Sequence, residues 1–322
     1  MYIVNEDTAK ALVDRANAFD AVEKAFAAMA KGEARNFPVI REALGYADAL
    51  YGFKSGFDAS GGVLGLKAGG YWPGNAEQGL TNHQSSVFLF DPDTGRASAM
   101  VAGNYLTAAR TAAACAISIQ HLARPNAKTL GIIGAGHQSQ FQLRAAAEQR
   151  DFERVLAWNI TPDGLDRLQQ IAADIGLEFK VVERDELARE ADVIVTITSC
   201  FEPLLWAKQI QPGTHIACMG TDTVGKQELD PQLVANARIF TDEPAQASQL
   251  GECQHAVNAG LLSVETITPI GAVIAGLAKG RTGADDITLF DGTGVGLQDL
   301  AVASRAVERA RETGRAQEVA LG

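Results

Sequence analysis

The stretch from Thr129 to Glu148, "TLGIIGAGHQSQFQLRAAAE", has the residue pattern of a phosphate-binding turn. An apolar run typical of a strand precedes Gly134 and Gly136, and a helical pattern follows them. Glycines let the backbone turn sharply and approach a pyrophosphate, while the N–H groups that open the next helix attract anions. Ser139 stands at the third position of this fingerprint, where glycine is usual. The pattern predicts a dinucleotide-binding site.

The choice of dinucleotide depends on the residues that follow the second strand of such a fold. An acid that binds the ribose hydroxyls is usual there, but this chain has Asn159 and Thr161, with Asp163 a turn later. No arginine or lysine lies between Ala157 and Asp166 to receive a 2′-phosphate. The segment therefore favours NAD(H) and leaves NADP(H) open.

Three charged side chains stand where they could act on a small molecule. Arg110 is the one guanidinium in "TAARTAAA", and a buried arginine either grips a carboxylate through two hydrogen bonds or forms a structural ion pair. Lys67 lies between glycines in "GLKAGG"; desolvation would suit it to proton transfer, although a strand lysine is more often solvated. Asp222 follows the predicted strand "HIACMG", at the edge where parallel sheets bind ligands, unless it only caps the loop.

The elements that must position these residues differ between the two parts of the chain. Apolar residues recur at helical spacing from Glu6 to Lys31, and glycine-punctuated, β-rich runs follow between Phe37 and Met100. "NYLTAARTAAACAISIQHLA" predicts a helix with Asn104 as its candidate N-cap. After Pro125 strands and helices alternate, which predicts a parallel doubly wound sheet. A last helix begins near Gly294, with no strand predicted after it.

The composition argues against several classes of function. With 322 residues, 47% of them hydrophobic and 21% charged, the chain is predicted to fold as two ordinary domains. A net charge of −11 without a clustered basic run disfavours nucleic acid as a partner. No run is long and apolar enough for a membrane span, and no export signal is predicted. Scattered cysteines and histidines predict free thiols, a cytoplasmic location and no metal site.

Several motifs together resemble the ornithine cyclodeaminase/mu-crystallin family, in the same order and over nearly the whole chain. The segments that carry the resemblance are "GLKAGGYWPGN", "LFDPDTG", "LTAARTAAA", "GAGHQSQ", "MGTDTVGKQEL" and "DGTGVGLQD". The family also contains imine-forming and imine-reducing dehydrogenases, among them alanine dehydrogenases of archaeal type and ketimine, pyrroline-carboxylate and iminosuccinate reductases. The resemblance therefore implies an enzyme that acts on CH–NH2 or C=N groups.

The resemblance also implies how the chain is organised. It implies an α/β protein in which a Rossmann-type doubly wound dinucleotide domain, residues 123–297, is inserted into an α+β domain. That second domain, residues 1–122 with 298–322, would bind the substrate and form a homodimer. The glycine turn comes late in the chain because the residues before it build this substrate-binding half.

Roles for individual residues follow from the same resemblance. Lys67 matches the active-site lysine of the family, and Asp222 matches an aspartate that exchanges protons with the substrate amine. Arg110 and Arg41 match the arginines that bind the substrate carboxylate. The loop "DGTGVG" would lie near the nicotinamide. The predicted cofactor-binding residues are Thr111, Gly134, Gly136, Gln138, Ser139, Asn159, Thr161 and Thr293.

The chain departs from the cyclodeaminase pattern after its lysine segment. Cyclodeaminases resemble "GHPKN" there, whereas this chain has "GYWPGN" and, downstream, "LTNHQSS". This difference argues against a pocket shaped for ornithine. Candidates for the distal end of the substrate are Tyr71, Trp72, Asn82 and His83, of which His83 could equally face the core or a dimer interface. Lys54, Arg41 and His83 are the cations available for a second carboxylate.

The predicted function is the NAD(P)H-dependent reduction of a small 2-imino acid to the L-amino acid. The best candidate is iminosuccinate, formed from oxaloacetate and ammonia and reduced to aspartate. One alternative is a cyclodeaminase of ornithine or lysine, which releases ammonia without net consumption of NADH. The other is a non-catalytic ligand-binding protein of the mu-crystallin type. Retention of Lys67, Arg110 and Asp222 together argues against a purely binding role.

Overall fold

The computed structural model describes residues 1–321, which divide into two compact units. The first unit comprises residues 1–110 with 295–321, and the second comprises residues 111–294. The division falls inside the helix that contains Arg110, earlier than the predicted boundary after residue 122.

The first segment of the chain forms three helices and most of a largely antiparallel sheet. Its elements are β1 (Tyr2–Val4), α1 (Glu6–Leu12), α2 (Arg15–Ala30), β2 (Ala34–Asn36), β3 (Ile40–Ala43), β4 (Leu50–Asp58), β5 (Val63–Tyr71), β6 (His83–Phe90), β7 (Ala97–Ala102) and α3 (Asn104–Leu122). Both first helices have side-chain caps, since the side chains of Asn5 and Asp14 accept hydrogen bonds from the backbone amides of Thr8 and Asn17. Asn104 is the first residue of α3, and its side-chain oxygen accepts a hydrogen bond from the Ser85 amide.

The rest of the chain alternates strands and helices and ends in a helix and a short strand. These elements are β8 (Thr129–Ile133), α4 (Ser139–Ala147), β9 (Arg154–Trp158), α5 (Leu165–Asp174), β10 (Glu178–Val181), α6 (Arg184–Glu190), β11 (Val193–Thr196), β12 (Phe201–Leu205), β13 (His215–Cys218), β14 (Gln227–Leu229), α7 (Pro231–Asn236), β15 (Arg238–Thr241), α8 (Pro244–Leu250), α9 (Gln254–Asn258), β16 (Thr268–Pro269), α10 (Ile270–Ile274), β17 (Thr288–Asp291), α11 (Gly296–Glu312) and β18 (Gln317–Glu318).

The sheet of the first unit has the order β18-β1-β7-β6-β5-β4-β2, with β3 also paired to β4. All pairs are antiparallel except β1 with β7. The prediction that no strand follows the last helix is wrong, because β18 pairs with β1 at the sheet edge. On one face of the sheet Val87, Leu89 and Val101 are buried, and α11 and α2 pack together within this unit.

The second unit is built on a parallel sheet, as the alternation of strands and helices predicts. Its order is β10-β9-β8-β11-β13-β17-β15-β16, and every neighbouring pair is parallel. The chain runs outward from β8 in both directions, so the strand order reverses between β8 and β11. Parallel sheets bind ligands at such a reversal, beyond the carboxyl ends of the strands. The glycine turn after β8 lies at this point.

Candidate active site

Lys67 lies in the middle of β5 with its side chain almost fully buried, 6% exposed. Its Nζ lies 2.9 Å from Oδ1 of Asp299 and 3.4 Å from the Thr107 hydroxyl. Asp299 belongs to the first turn of α11 and is 1% exposed. A buried ammonium paired with one carboxylate replaces the solvated strand lysine that spacing alone suggests.

Arg110 shares the same carboxylate. Its Nε donates to Oδ1 of Asp299 at 3.0 Å, and its Nη1 donates to the Gln298 side chain at 3.1 Å. These two bonds fix the plane of the guanidinium, because Arg presents its donors in a rigid fork. Arg110 therefore has an ion-pair partner inside the first unit, and Asp299 joins it to Lys67 in one buried cluster.

The protonation states in this cluster follow from burial and from neighbouring charges. Burial lowers the pKa of Lys67 to about 7, although the charge of Asp299 opposes this shift. Burial alone would raise the pKa of Asp299, but Arg110 and Lys67 together lower it to about 2. At neutral pH Asp299 is thus ionised and Lys67 titrates, which is the condition that suits a lysine to proton transfer.

His83 is not the cation that the sequence suggests. Burial lowers its pKa to about 3, and the charges of Lys67 and Arg110 act in the same direction. The imidazole is therefore neutral at pH 7. Its Nε2 lies 3.2 Å from the Ser85 hydroxyl. His83 can contribute a hydrogen bond in this region, but not a positive charge.

Two glycines form a floor without side chains next to Lys67. In the register of the sheet, Gly52 pairs with Gly69, and Gly69 pairs with Ser85. A Cβ on Gly69 would lie 2.5 Å from Cβ of Ser85, so no other residue fits there. Gly52, Gly69 and Ser85 form one row across three strands. Residues paired across strands share a face of the sheet, and so do residues two apart along a strand, so the Cβ of Lys67 lies on the same face as this row. Arg41, half-buried in β3, pairs with Gly52 and belongs to the same row.

Gly296 explains how Asp299 reaches the sheet. A Cβ at this first position of α11 would lie 2.8 Å from the backbone of Ser55, so only glycine lets the helix start against β4. The N-terminal end of a helix also favours an acid in its first turn. The close start of α11 thereby places the Asp299 carboxylate against β5.

Asp222 lies in the second unit, in the loop after β13. Its Oδ1 accepts hydrogen bonds from Lys226 Nζ at 3.0 Å and from the Thr223 hydroxyl at 3.2 Å. The side chain is about a third exposed, at 34%. The structure therefore places Asp222 at the carboxyl edge of the parallel sheet, as predicted, and gives it a lysine partner within its own loop.

The glycine turn has the shape that the sequence predicts. Gly134 has φ +104°, and a Cβ there would lie 2.6 Å from the Ile197 carbonyl oxygen. A Cβ on Gly136, by contrast, would meet nothing within 4 Å, so this side of the turn is open to a ligand. Ser139 begins α4, and its hydroxyl donates to the Gly136 carbonyl at 2.7 Å. The Ser139 side chain thus stabilises the turn through a hydrogen bond to its backbone.

Residues that follow β9 also stabilise the turn through hydrogen bonds to its backbone. Oδ1 of Asn159 accepts from the Ala135 amide at 3.2 Å, and its Nδ2 donates to the Thr161 carbonyl at 3.0 Å. The Thr161 hydroxyl donates to Asp163 at 3.1 Å. Arg167, which the sequence analysis missed, donates from Nη2 to the carbonyls of Ala135 and Gly136, both at 2.8 Å. The sequence pattern indicates this contact only weakly, because Arg167 lies just beyond the segment in which a basic residue is expected.

Three further predicted cofactor residues lie in the second unit. Gln138 precedes α4, and within the described residues its buried Oε1 has no hydrogen-bond partner. Thr111 is buried in α3. The Thr293 hydroxyl donates to Asp242 at 2.6 Å and accepts from Gln246 at 2.9 Å. The hydroxyl hydrogen of Thr293 is therefore already used within the protein.

Asp299 was not predicted, although the sequence contains a signal for it. In α11 a buried stripe recurs at spacings of three and four residues and consists of Gly296, Asp299, Ala303, Ala306 and Ala310. One acid in an otherwise small and apolar stripe indicates a buried carboxylate that needs a cationic partner.

Among residues 1–321, no group of three or more histidine, cysteine, aspartate or glutamate side chains could hold a metal ion.

The motifs and the fold agree with comparisons to known proteins. A model of the ornithine cyclodeaminase/mu-crystallin family matches residues 3–314. The chain belongs to this family. The resemblance of its motifs is thus confirmed, and so is the Rossmann-type α/β class, which is shared with NAD-bound structures of the family.

Three relatives within the family are informative. The iminosuccinate reductase of Paracoccus denitrificans (strain Pd 1222) is 60% identical over 321 residues, which are 100% of both chains. Its crystal structure in complex with NAD+ has a TM-score of 0.96 and covers 100% of this chain and 99% of that one. An archaeal alanine dehydrogenase dimer with bound NAD is 33% identical, with a TM-score of 0.94 and coverage of 100% and 99%. The pyrroline-2-carboxylate reductase of Thermococcus litoralis, in complex with NADH and L-proline, is 28% identical, with a TM-score of 0.94 and coverage of 99% and 100%.

Proposed function

We propose that this protein is an NAD(H)-dependent imine reductase that converts iminosuccinate, formed from oxaloacetate and ammonia, to aspartate. The observation that carries the proposal is the buried Lys67–Asp299–Arg110 cluster beside the glycine floor. It combines a group that titrates near neutrality with a guanidinium fixed for carboxylate binding. Identity of 60% to an iminosuccinate reductase over the full chain supports the same substrate.

The second unit fits a dinucleotide. Its turn is open at Gly136, and the buried Oε1 of Gln138 has no partner among the described residues. We assign the cofactor-binding role to this turn, to Asn159 and Thr161 beside it, and to Thr111 and Thr293. Bound NADH supplies the hydride that reduces the C=N bond.

The side chains of the first unit would bind the substrate and provide a proton. In this proposal Arg110, with Arg41, holds the α-carboxylate, and Asp299 keeps Nζ of Lys67 in place. The protonated lysine donates to the imine nitrogen as the amine forms. His83 contributes a neutral hydrogen bond to the substrate. Asp222 would exchange protons with solvent, and its partial exposure suits it to that role.

The proposed reaction is testable with the purified protein. NADH oxidation, followed by its absorbance, should be rapid with oxaloacetate plus ammonium, and mass spectrometry should identify aspartate as the product. NADPH should be used at least about tenfold less efficiently, because Asn159 lies beside the turn and no lysine or arginine lies between Ala157 and Asp166 to bind a 2′-phosphate. Pyruvate or glyoxylate with ammonium, and pyrroline-2-carboxylate, serve as comparison substrates.

Two results would contradict the proposal. Release of ammonia from ornithine or lysine without net NADH consumption, and with no oxidation on any imine, would identify a cyclodeaminase. Saturable NADH and ligand binding without turnover on any substrate would identify a binding protein.

We also propose that the protein forms a homodimer through the sheet face opposite Lys67. In β5 and β6 the residues of this face alternate with buried ones, and they remain partly exposed. The apolar residues on this face include Ile40, Phe53, Phe57, Leu64, Leu66, Phe88, Phe90 and Met100. Apolar patches of this extent commonly mark an interface between proteins. The archaeal relative is described as a dimer.

Phe53→Asp should convert the dimer into a monomer, because Phe53 is 38% exposed on this face and a buried unpaired carboxylate is costly in an interface. Light scattering after gel filtration would measure the mass of each species. Val181→Asp is the matched control, since Val181 is 52% exposed at the edge of the other sheet and should leave the dimer intact. A dimer that survives Phe53→Asp would place the interface elsewhere.

The described residues contain no helix with the length and apolarity that a membrane crossing requires. All four cysteines are free thiols. We infer a cytoplasmic location from these thiols, because free cysteines persist in reducing compartments.

A further inference from the structure

Glu228, in β14 of the second unit, is a buried acid that the mechanism above does not use. It is 1% exposed, and both of its carboxylate oxygens accept two hydrogen bonds. Oε1 accepts from the amide and the hydroxyl of Thr198, both at 2.7 Å. Oε2 accepts from the Thr196 hydroxyl at 2.6 Å and from the Gly220 amide at 3.1 Å. One side chain therefore ties the loop after β11 to the loop after β13.

The loop after β11 packs directly on the dinucleotide turn. A Cβ on Gly134 would lie 2.6 Å from the Ile197 carbonyl oxygen and 3.0 Å from Cγ2 of Thr198. The turn and this loop thus fit together only while Gly134 has no side chain and Thr198 keeps its place. Because Glu228 binds both the amide and the hydroxyl of Thr198, it supports the turn from one residue away.

The loop after β13 is held at the same carboxylate. A Cβ on Gly220 would lie 2.5 Å from Oε1 of Glu228 and 2.5 Å from the Thr198 carbonyl oxygen, so only glycine allows this close approach. While Glu228 accepts from the Gly220 amide, Nζ of Lys226 donates to the Gly220 carbonyl at 3.1 Å. The same Nζ donates to Asp222 at 3.0 Å. The position of the Asp222 loop therefore depends on the Gly220 peptide that Glu228 holds.

A second buried acid, Glu252, lies beside Glu228 and behaves differently. Its Oε1 accepts from the amides of Glu228 at 2.9 Å and Leu229 at 2.7 Å, and its Oε2 lies 2.5 Å from the Thr221 hydroxyl. Burial raises the pKa of Glu252, and the charge of Glu228 raises this pKa further, to about 8. Burial also raises the pKa of Glu228, but its four hydrogen bonds favour the ionised form. At pH 7 the proton of this pair lies on Glu252.

We propose that Glu228 is a positioning residue for the dinucleotide, whose carboxylate keeps the loops after β11 and β13 at the spacing that the cofactor requires. Both oxygens are needed, because each accepts from a backbone N–H that cannot reverse its direction. An amide at this position would turn its NH2 group toward the N–H of Thr198 or of Gly220 and release that loop. This inference rests on the proposed function, because it assigns the support of its cofactor site.

The test makes the same nearly isosteric change at both buried acids and measures NADH binding by fluorescence titration at pH 7. In Glu228→Gln the Kd for NADH should rise about tenfold or more, because a charge-assisted hydrogen bond to one loop is lost. The KM for oxaloacetate with ammonium, at saturating NADH, should change less than about twofold. Glu252→Gln is the matched control, and its Kd for NADH should change less than about threefold. Glu252 is already neutral at this pH, and an amide oxygen can still accept from the Glu228 and Leu229 amides.

Thr198→Val tests the same support with a smaller change. It removes the hydroxyl that donates to Oε1 of Glu228 and keeps the shape of the side chain. The Kd for NADH should rise about threefold, with the KM for oxaloacetate and ammonium unchanged. Should Glu228→Gln fail to fold, this variant decides the question, and wild-type NADH affinity in Thr198→Val would then overturn the role of Glu228.

The outcomes separate this inference from the proposed function. Wild-type NADH affinity in Glu228→Gln overturns the positioning role while the reductase stands. Equal losses of affinity in Glu228→Gln and Glu252→Gln also overturn it, since they indicate a general loss of packing around two buried acids. If wild type binds NADH but reduces no imine, the proposed function fails, and the binding titrations still decide the role of Glu228. If wild type does not bind NADH, both proposals fail.

Discussion

Lys67→Ala is expected to lower kcat/KM for imine reduction by about a thousandfold, while NADH binding changes less than about threefold. The lysine is the buried group that titrates near neutrality, and its Nζ is held by Asp299 and Thr107. The dinucleotide turn belongs to the other unit, so the loss should appear in turnover. Steady-state assays would measure the rate, and a fluorescence titration with NADH would measure binding.

Lys67→Arg separates charge from proton transfer. A guanidinium preserves the ion pair with Asp299 but does not release its proton at accessible pH. This variant should fold as wild type and bind NADH, yet remain at least about a hundredfold less active. If Lys67→Ala kept more than about a tenth of wild-type kcat/KM, another group would supply the proton. A large loss of NADH affinity in the alanine variant would also contradict the assigned role.

The parts of the structure that the sequence predicts depend on local contacts. The glycine turn, with the helix after it, is set by residues within one short segment, so the positions of Gly134 and Ser139 could be predicted. The alternation of strands and helices likewise predicts the parallel sheet, because each strand is a short apolar run bounded by turns.

The parts that could not be predicted depend on residues far apart in the chain. Asp299 and Lys67 are 232 positions apart, and only the folded sheet with α11 against it brings them together. The neutrality of His83 depends on burial and on two cations from other elements, which spacing cannot reveal. The two-residue strand β18 is too short for a periodic signal, and its partner β1 begins at residue 2.

The pH dependence of the reaction follows from Lys67. The protonated form donates, and its pKa is about 7, so kcat/KM for reduction should be constant at low pH and fall tenfold per unit above pH about 7. Oxidation of aspartate needs the neutral lysine and should rise with pH over the same range. Rates measured in both directions from pH 5 to pH 9 would test this mirror-image behaviour.

Asp299→Asn is expected to shift this profile and to destabilise the protein. The carboxylate opposes the lowering of the Lys67 pKa, so its removal should move the fall in reduction rate to lower pH by about one unit or more. Two buried cations also lose their partner, and the free energy of unfolding should drop by about 3 kcal/mol. Because the pKa of Asp299 is lowered from 3.8 to about 2, this stabilisation is complete above pH 3.8 and disappears as the pH falls through 2.

Asp20→Asn is the matched control, since Asp20 pairs with Lys24 and Arg305 at the surface of the same unit. Its removal should cost at most about 1 kcal/mol and leave the pH profile unchanged. A purely structural role for Asp299 would lower stability but leave the midpoint of the profile in place, whereas positioning and charging of Lys67 moves both. An unshifted midpoint in Asp299→Asn would therefore separate the ion pair from the proton transfer and require a different donor in the site.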